Sequence, residues 1–371
     1  MKLIPTRAHA WTDACEELED GDDREAHGLG IRVKAIAHTR FGPPDLLEMK
    51  EVAKPTPKED EVLVRVHAAS LNAFDWHIMR AKPFLVRLAG FGLLKPKHMI
   101  LGVDMAGRVE AVGDSAKRFQ PSDEVFGDLS GCGMGAFAEY VCAPEDVLAL
   151  KPANASFEEA AAVPMAAVTA LQGLRDKGRV QPGQKVLIHG ASGGVGTFAV
   201  QIAKSFGAEV TGVCSTRNLD TARSLGADHV IDYTEEDFTQ NGQHYDLILG
   251  ANGDRSLSDY KRALSPKGTY VMSGGSMGQI FSALFLGPWM SIIGNKKMGT
   301  VAAKPNQGDL AFMRELIEAG KVKPVIDRRY RLGEVPEAIR YLEEGHAQGK
   351  VVITLEQGGL QTNSLDPHPA S

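Results

Sequence analysis

Apolar and polar positions follow two different periods along this chain, and the change falls near residue 185. Up to about residue 150 the apolar positions alternate with polar ones in short runs, the period of a strand with one face buried. Residues 32–37 (Arg-Val-Lys-Ala-Ile-Ala) and 61–68 (Glu-Val-Leu-Val-Arg-Val-His-Ala) show it most clearly, and Pro43, Pro44, Pro55 and Pro57 mark the turns between them. Residues 100–127 predict a hairpin in which Gly102, Gly107, Gly113 and Gly127 supply bends or bulges that let a small barrel close. A further strand is predicted at 135–141 and a helical connector at 158–174.

From residue 185 the apolar runs become continuous, as in strands buried on both faces, and they alternate with helical stretches. Strands are predicted at 185–189, 209–214, 228–233, 245–250 and 268–273, with helices at 197–204 and 219–225 between the first three. That alternation predicts an α/β fold built on a doubly wound parallel sheet. An amphipathic helix at 308–320, a short run at 325–326, a helix at 337–344 and a strand at 351–355 complete the pattern.

The turn after the first of these buried strands is rich in glycine: Gly190-Ala191-Ser192-Gly193-Gly194-Val195-Gly196. It matches the dinucleotide fingerprint as Ala191-x-Gly193-x-x-Gly196, with alanine at the first glycine position. Such a match is weak alone, and an ordinary strand-to-helix turn is its bland alternative. Here it stands between a strand and a helix, with a second strand at the spacing of a βαβ unit. Ser192, Gly193, Gly194, Val195 and Gly196 are therefore candidate cofactor contacts, since backbone N–H groups at a helix N-terminus bind a pyrophosphate. The second strand ends in Cys214-Ser215-Thr216-Arg217, with no acid to accept from a ribose 2′-OH. Ser215 and Arg217 suit a 2′-phosphate instead, so NADPH is expected over NADH.

At 371 residues the chain is long enough for two domains, and 43% hydrophobic with 24% charged residues excludes a disordered chain. The net charge of −6 provides no basic field for nucleic acid or an anionic membrane. Residues 1–30 hold eight acids against three bases, so the rest of the chain is nearly neutral and the start reads as an acidic tail. Four dispersed cysteines (Cys15, Cys132, Cys142, Cys214) make no C-x-x-C pair, which suits a reducing compartment and denies the chain a four-cysteine zinc lobe. The N-terminus lacks the plan of a signal or transit peptide, and a cytoplasmic address is expected. No run is apolar and long enough to span a bilayer; the nearest, 281–293, is broken by Gly287-Pro288.

Several motifs occur together in one order: Leu71-Asn72-Ala73-Phe74-Asp75-Trp76, Gly102-Val103-Asp104-Met105-Ala106-Gly107, Gly135-Ala136-Phe137-Ala138-Glu139-Tyr140, the turn at 190–196, Val230-Ile231-Asp232-Tyr233, and Gly345-His346-Ala347-Gln348-Gly349-Lys350. On these the chain resembles the medium-chain dehydrogenase/reductase superfamily over about residues 33–356, in its zinc-independent quinone oxidoreductase-like branch. It is similar to the reticulon-4-interacting-protein-like reductases in particular. The resemblance implies a GroES-like β-barrel catalytic domain at 31–158, completed by 325–356, and a Rossmann NADP-binding domain at 159–324. A flexible tail is expected at 357–371. It further implies a cleft between the domains and NADPH-dependent reduction of quinones or activated enones. Thr169, Asn252, Gly274 and Lys350 would line the cofactor cleft, and Tyr233 would sit beside the adenosine 2′-phosphate.

Zinc alcohol dehydrogenases, the competing relatives, need cysteine, histidine and glutamate ligands. In their places stand Asn72, the pair Val103-Asp104, and Pro164 to Thr169 without a thiolate, so no metal is expected. By the same resemblance Asn72 faces the nicotinamide cleft, with Asp75 and His77 near it as candidate orienters or proton sources. Asn72 and Asp75 would be catalytic or would simply brace their loop through backbone hydrogen bonds. Without a Lewis acid the substrate must already be electrophilic, a small apolar quinone or enone. No tyrosine lies between Asn72 and Phe91 to donate a proton, which weakens a 2-enoyl-thioester reductase reading without removing it. A non-catalytic NADPH-binding structural or sensor protein also remains open. The apolar stretches 84–94 and 281–293 would form either a greasy lid for a bulky substrate or buried packing, including a homodimer contact.

Overall fold

The structure, a computed structural model, describes residues 30–84, 86–252, 255–274 and 295–355. Residues 1–29 of the acidic tail, the stretch 281–293 and the tail at 357–371 lie outside the described residues.

The period-two region forms β1 (Arg32–Ala37), β2 (Glu48–Ala53), β3 (Glu61–Leu71), α1 (Ala73–Arg80), β4 (Asp104–Val112), β5 (Glu124–Asp128), β6 (Tyr140–Pro144) and β7 (Leu148–Leu150). The hairpin predicted at 100–127 is β4 paired antiparallel with β5. The predicted strand at 135–141 is displaced: regular pairing starts only at Tyr140, because Ala136 and Phe137 fold back on Gly102 and Leu101 through backbone hydrogen bonds. At Gly102 (φ +91°) an added Cβ would lie 2.7 Å from the Phe137 ring, so glycine is required for that close approach.

The connector is two helices, α2 (Phe157–Ala161) and α3 (Pro164–Leu171), and not the single element predicted at 158–174. Pro164, with no N–H to continue α2, opens α3. There follow β8 (Lys185–His189), α4 (Gly194–Ser205), β9 (Glu209–Cys214), α5 (Leu219–Ser224), β10 (His229–Asp232), β11 (Tyr245–Gly250), α6 (Leu257–Ala263), β12 (Leu264–Met272) and β13 (Lys297–Thr300). The chain returns through α7 (Gln307–Glu318), β14 (Ile326–Arg331), α8 (Val335–Glu343) and β15 (Lys350–Thr354).

Two large sheets result. The parallel one has the order β10-β9-β8-β11-β12-β13. Its direction of growth reverses between β8 and β11, and the crevice outside the carboxyl ends of those two strands is where such sheets bind ligands. Side chains from alternate strand positions fill separate cores: Val186, Ile188, Val210, Leu247 and Leu249 on one face, and Leu187, Val213, Ile248 and Tyr270 on the other. The other sheet runs β14-β15-β3-β4-β5-β7, with β6 also on β3, and encloses a third core around Val64, Leu101, Met105, Phe137 and Ile353. β15 thus brings the last described strand back beside β3. Among the described residues no helix is long and apolar enough to cross a membrane.

Candidate active site

The glycine-rich turn leaves β8 at Gly190, whose φ of +87° and approach to Asn252 (3.0 Å from an added Cβ to the Asn252 nitrogen) both favour glycine. The Gly190 and Ala191 amides are tied to the Val213 carbonyl at 3.1 and 3.0 Å. Gly193 caps α4 without a side-chain hydrogen bond. Ser192, Gly193, Gly194 and Val195 are partly exposed there, so the start of this helix presents backbone donors to the crevice. Gly196 cannot carry a side chain: its Cβ would lie 1.9 Å from the Gly190 carbonyl oxygen. The cradle fits a dinucleotide pyrophosphate.

At the end of β9, Ser215 is partly exposed and Arg217 exposed. The Arg217 Nη2 donates to the His346 carbonyl at 3.3 Å. Tyr233 follows β10, its backbone amide on the Cys214 carbonyl and its side chain 49% exposed. Asn252 and Gly274 follow β11 and β12, held at the crevice by the His189 and Gly250 carbonyls.

The barrel side contributes a buried polar cluster. Asn72 caps α1; its Nδ2 donates to Asp104 Oδ2 at 2.9 Å, and its Oδ1 accepts from Lys350 Nζ at 2.5 Å. Lys350 Nζ also meets Asp104 Oδ2 at 3.2 Å, and Ser70 Oγ donates to that same oxygen at 3.1 Å. The other oxygen of Asp104 accepts from the Met165 amide at 2.9 Å, so one carboxylate joins β3, β4, β15 and the start of α3. Thr169 is buried one turn further along α3. Gly194 packs on the Lys350 stem, 3.2 Å from an added Cβ to Cδ, which sets the lysine between the phosphate turn and the carboxylates.

Asp75 is fully buried and accepts the Asn72 amide on Oδ2 at 2.8 Å, while its Oδ1 has no partner. Burial, with the Asp104 and Asp128 charges adding to it, pushes its pKa up to about 7, against the pull of the Asn72 amide and Lys350. Asp128 moves the same way, through burial and Asp104. Through that bond Asp75 ties its own helix turn to the Asn72 backbone. His77 is turned to the Lys82 carbonyl at 2.8 Å and stacks on Trp76.

The structure therefore brings Asn72, Asp75 and Lys350 together, and it sets the turn beside Asn252 and Lys350. Sequence reasoning missed Ser70 and Asp128 and read Asp104 only as a lost ligand. It also passed over Asn218, whose Nδ2 reaches both Ser192 Oγ (3.0 Å) and Ser215 Oγ (3.1 Å). Asp232, an acid at the end of the neighbouring β10 and not of β9, lies opposite Cys214 in the parallel register. Its carboxyl is held below the usual range by hydrogen bonds from Thr216 and Thr234.

A parallel nucleotide-binding sheet joined to a small barrel, with a polar site where they meet, defines a two-domain nicotinamide-dependent oxidoreductase. Family models agree: an alcohol dehydrogenase GroES-like domain matches residues 58–153 and a zinc-binding dehydrogenase model matches 225–353. The tomato (Solanum lycopersicum) 2-methylene-furan-3-one reductase is 35% identical over 363 residues, covering 95% of this chain and 85% of its own. The mitochondrial NAD(P)H oxidoreductase RTN4IP1 of Danio rerio is 31% identical over 352 residues, covering 85% and 89%. The solved quinone oxidoreductase of Coxiella burnetii superposes with a TM-score of 0.78 at 30% identity, covering 88% of this chain and all of that one. The chain belongs to the medium-chain dehydrogenase/reductase superfamily, in its quinone oxidoreductase-like branch.

Proposed function

We propose that this protein transfers a hydride from NADPH to a quinone or another activated enone without a metal ion. The observation that carries the metal-free part is the donor set in the barrel. Where a zinc ion would need thiolate or imidazole, the cluster offers an amide, a lysine ammonium and carboxylates, and the ammonium already occupies the space beside Asp104. Zinc does not fit these groups.

NADPH supplies the hydride. The turn at 190–196 binds its pyrophosphate, Ser215, Arg217 and Tyr233 take the 2′-phosphate end, and Thr169, Asn252, Gly274 and Lys350 line the cleft. Asn72 is the residue we place against the reacting groups, with Asp75 acting through it. In its bonds to Asp104, Asn72 Nδ2 uses one of two hydrogens; Lys350 Nζ uses two of three in its bonds to Asn72 and Asp104. The one left on each is a donor for negative charge developing on a quinone or enone oxygen. Such donors stabilise an oxyanion but do not replace a Lewis acid at a simple ketone, so the acceptor must carry its own electrophilicity.

The rim suits an apolar acceptor. Phe84, Leu93 and Leu94 are exposed, and Phe91 in the same segment packs edge-on against Phe74 at 5.7 Å, two residues from Asn72. The cysteines Cys132, Cys142 and Cys214 are free, in keeping with a reducing, cytoplasmic setting. We put the domain limits at 31–158 with 325–356, and at 159–324, a division that the two separate large sheets support.

The test is initial-rate kinetics with quinones, enones, saturated ketones and alcohols, on protein assayed for zinc and treated with a chelator. Quinones and enones should turn over with NADPH, unaffected by chelation. Alcohol oxidation as the fastest reaction, lost with zinc and restored by it, would overturn the reading.

A further inference from the structure

Asn218 is 4% exposed at the end of the short turn that follows β9, between the phosphate turn and the strand end that carries Ser215. Its Nδ2 has two hydrogens and spends them on Ser192 Oγ at 3.0 Å and Ser215 Oγ at 3.1 Å. Its Oδ1 is buried without a partner. The reverse orientation of the amide would leave two N–H groups unpaired in place of one carbonyl, and buried orphan donors are the rarer and costlier case.

A hydroxyl oxygen that accepts a hydrogen bond keeps its own hydrogen for a different acceptor. Both serines are partly exposed at the crevice, and among the described residues neither hydroxyl has a hydrogen-bond partner other than Asn218. Each hydroxyl hydrogen is thereby left for an acceptor from the crevice, and Arg217, exposed two residues after Ser215, adds a group that only donates. A phosphate dianion, which only accepts, matches such a lining. A ribose 2′-OH, uncharged and able to accept far fewer hydrogen bonds, gains less from the same donors.

We infer that Asn218 is a specificity-determining positioning residue: by donating to Ser192 and Ser215 it makes both hydroxyls donors for phosphate oxygens and so selects the 2′-phosphorylated dinucleotide. The inference rests on the NADPH reading above and deepens it.

The experiment is calorimetric titration of the full chain with NADP⁺ and with NAD⁺, which needs no substrate. Asn218→Asp keeps the shape but replaces the donor by an acceptor, pulling both hydroxyl hydrogens inward. It should weaken NADP⁺ about 30-fold, the scale of charge-assisted hydrogen bonds, and NAD⁺ by less than about threefold. Asn218→Ala, which adds no charge, should weaken NADP⁺ selectively by about fivefold, and should have no further effect when combined with Ser192→Ala and Ser215→Ala, because the three act as one unit. The serine double variant alone, changed only at partly exposed hydroxyls, gives the same selective loss and serves if the Asn218 variants do not fold. Equal weakening of both coenzymes, or unchanged NADP⁺ affinity, overturns the assignment. A wild-type preference for NADP⁺ that survives every variant sinks Asn218 alone, whereas a wild type with no preference sinks the NADPH reading and this inference with it.

Discussion

Arg217 and Asp75 show how differently one charge acts at the surface and in the core. Arg217 is exposed, and its only described side-chain bond is a 3.3 Å contact to the His346 carbonyl, so it is free to turn to a 2′-phosphate. Solvent screening holds its contribution toward the lower end of charged hydrogen bonds, about 1–2 kcal/mol. Arg217→Ala should therefore raise the dissociation constant for NADPH about tenfold at low salt and leave that for NADH within about twofold. Parallel losses for both coenzymes would remove the arginine from the specificity account. Asp75 is fully buried, and its pKa is raised to about 7. The folded protein thus holds a proton there that the unfolded chain has already released. Its contribution to stability is greatest below the unfolded carboxylate range and is lost as pH rises toward 7. Asp75→Asn keeps an acceptor for the Asn72 amide and removes the titration. Relative to wild type the variant should become progressively more stable between pH 5 and pH 8, by on the order of a few kcal/mol. Thermal unfolding at both pH values measures it, and a constant difference would show that Asp75 does not titrate there. Asn72 and Lys350, which meet in the buried cluster, could be singled out from the sequence because they sit in recognisable motifs. Asn218 was not, because nothing in Ser-Thr-Arg-Asn indicates that the fourth side chain folds back to two serines 3 and 26 residues away.

The strand-turn-helix unit at 185–205 was readable because its constraints are local: a buried run, a turn that needs glycine, a helix that follows at once. Gly196→Ala tests that element. An added Cβ at 1.9 Å from the Gly190 carbonyl must push α4 off β8, so dinucleotide binding should be lost or weakened about a hundredfold or more, while Gly193→Ala, with 3.6 Å of room, should be far milder. Equal effects in a titration would contradict the close-packing account of the turn. The barrel cluster was unreadable for the opposite reason. Ser70 meets Asp104, and Asp104 meets Asp128, only through the β3–β4 and β4–β5 registers. Lys350 stands opposite Asn72 because Val351 pairs with Leu71 across 280 residues of chain. A one-residue slip in any of these pairings would turn the side chains to the other face. The connector failed locally: residues 160–168 form one unbroken apolar run, and only Pro164 marks the break.

At the scale of the whole molecule, the two sheets are joined through Asp104, whose carboxylate takes the Met165 amide from the helix leading into the nucleotide-binding sheet and the Lys350 ammonium from the strand returning out of it. Lys350 in turn lies against Gly194 in the phosphate turn. In the reading proposed above, Asn72 and Lys350 would stabilise charge on the acceptor oxygen while no Lewis acid activates an isolated carbonyl, so in an enone the hydride is expected at the β-carbon, from which the charge is delocalised onto that oxygen as an enolate. The most direct test is the position of the label after turnover of an α,β-enone with NADPH deuterated at both C4 positions, read by mass spectrometry and NMR. The account requires deuterium on the β-carbon of a saturated ketone product, from protein free of zinc. Deuterium on the carbinol carbon of an alcohol would contradict it.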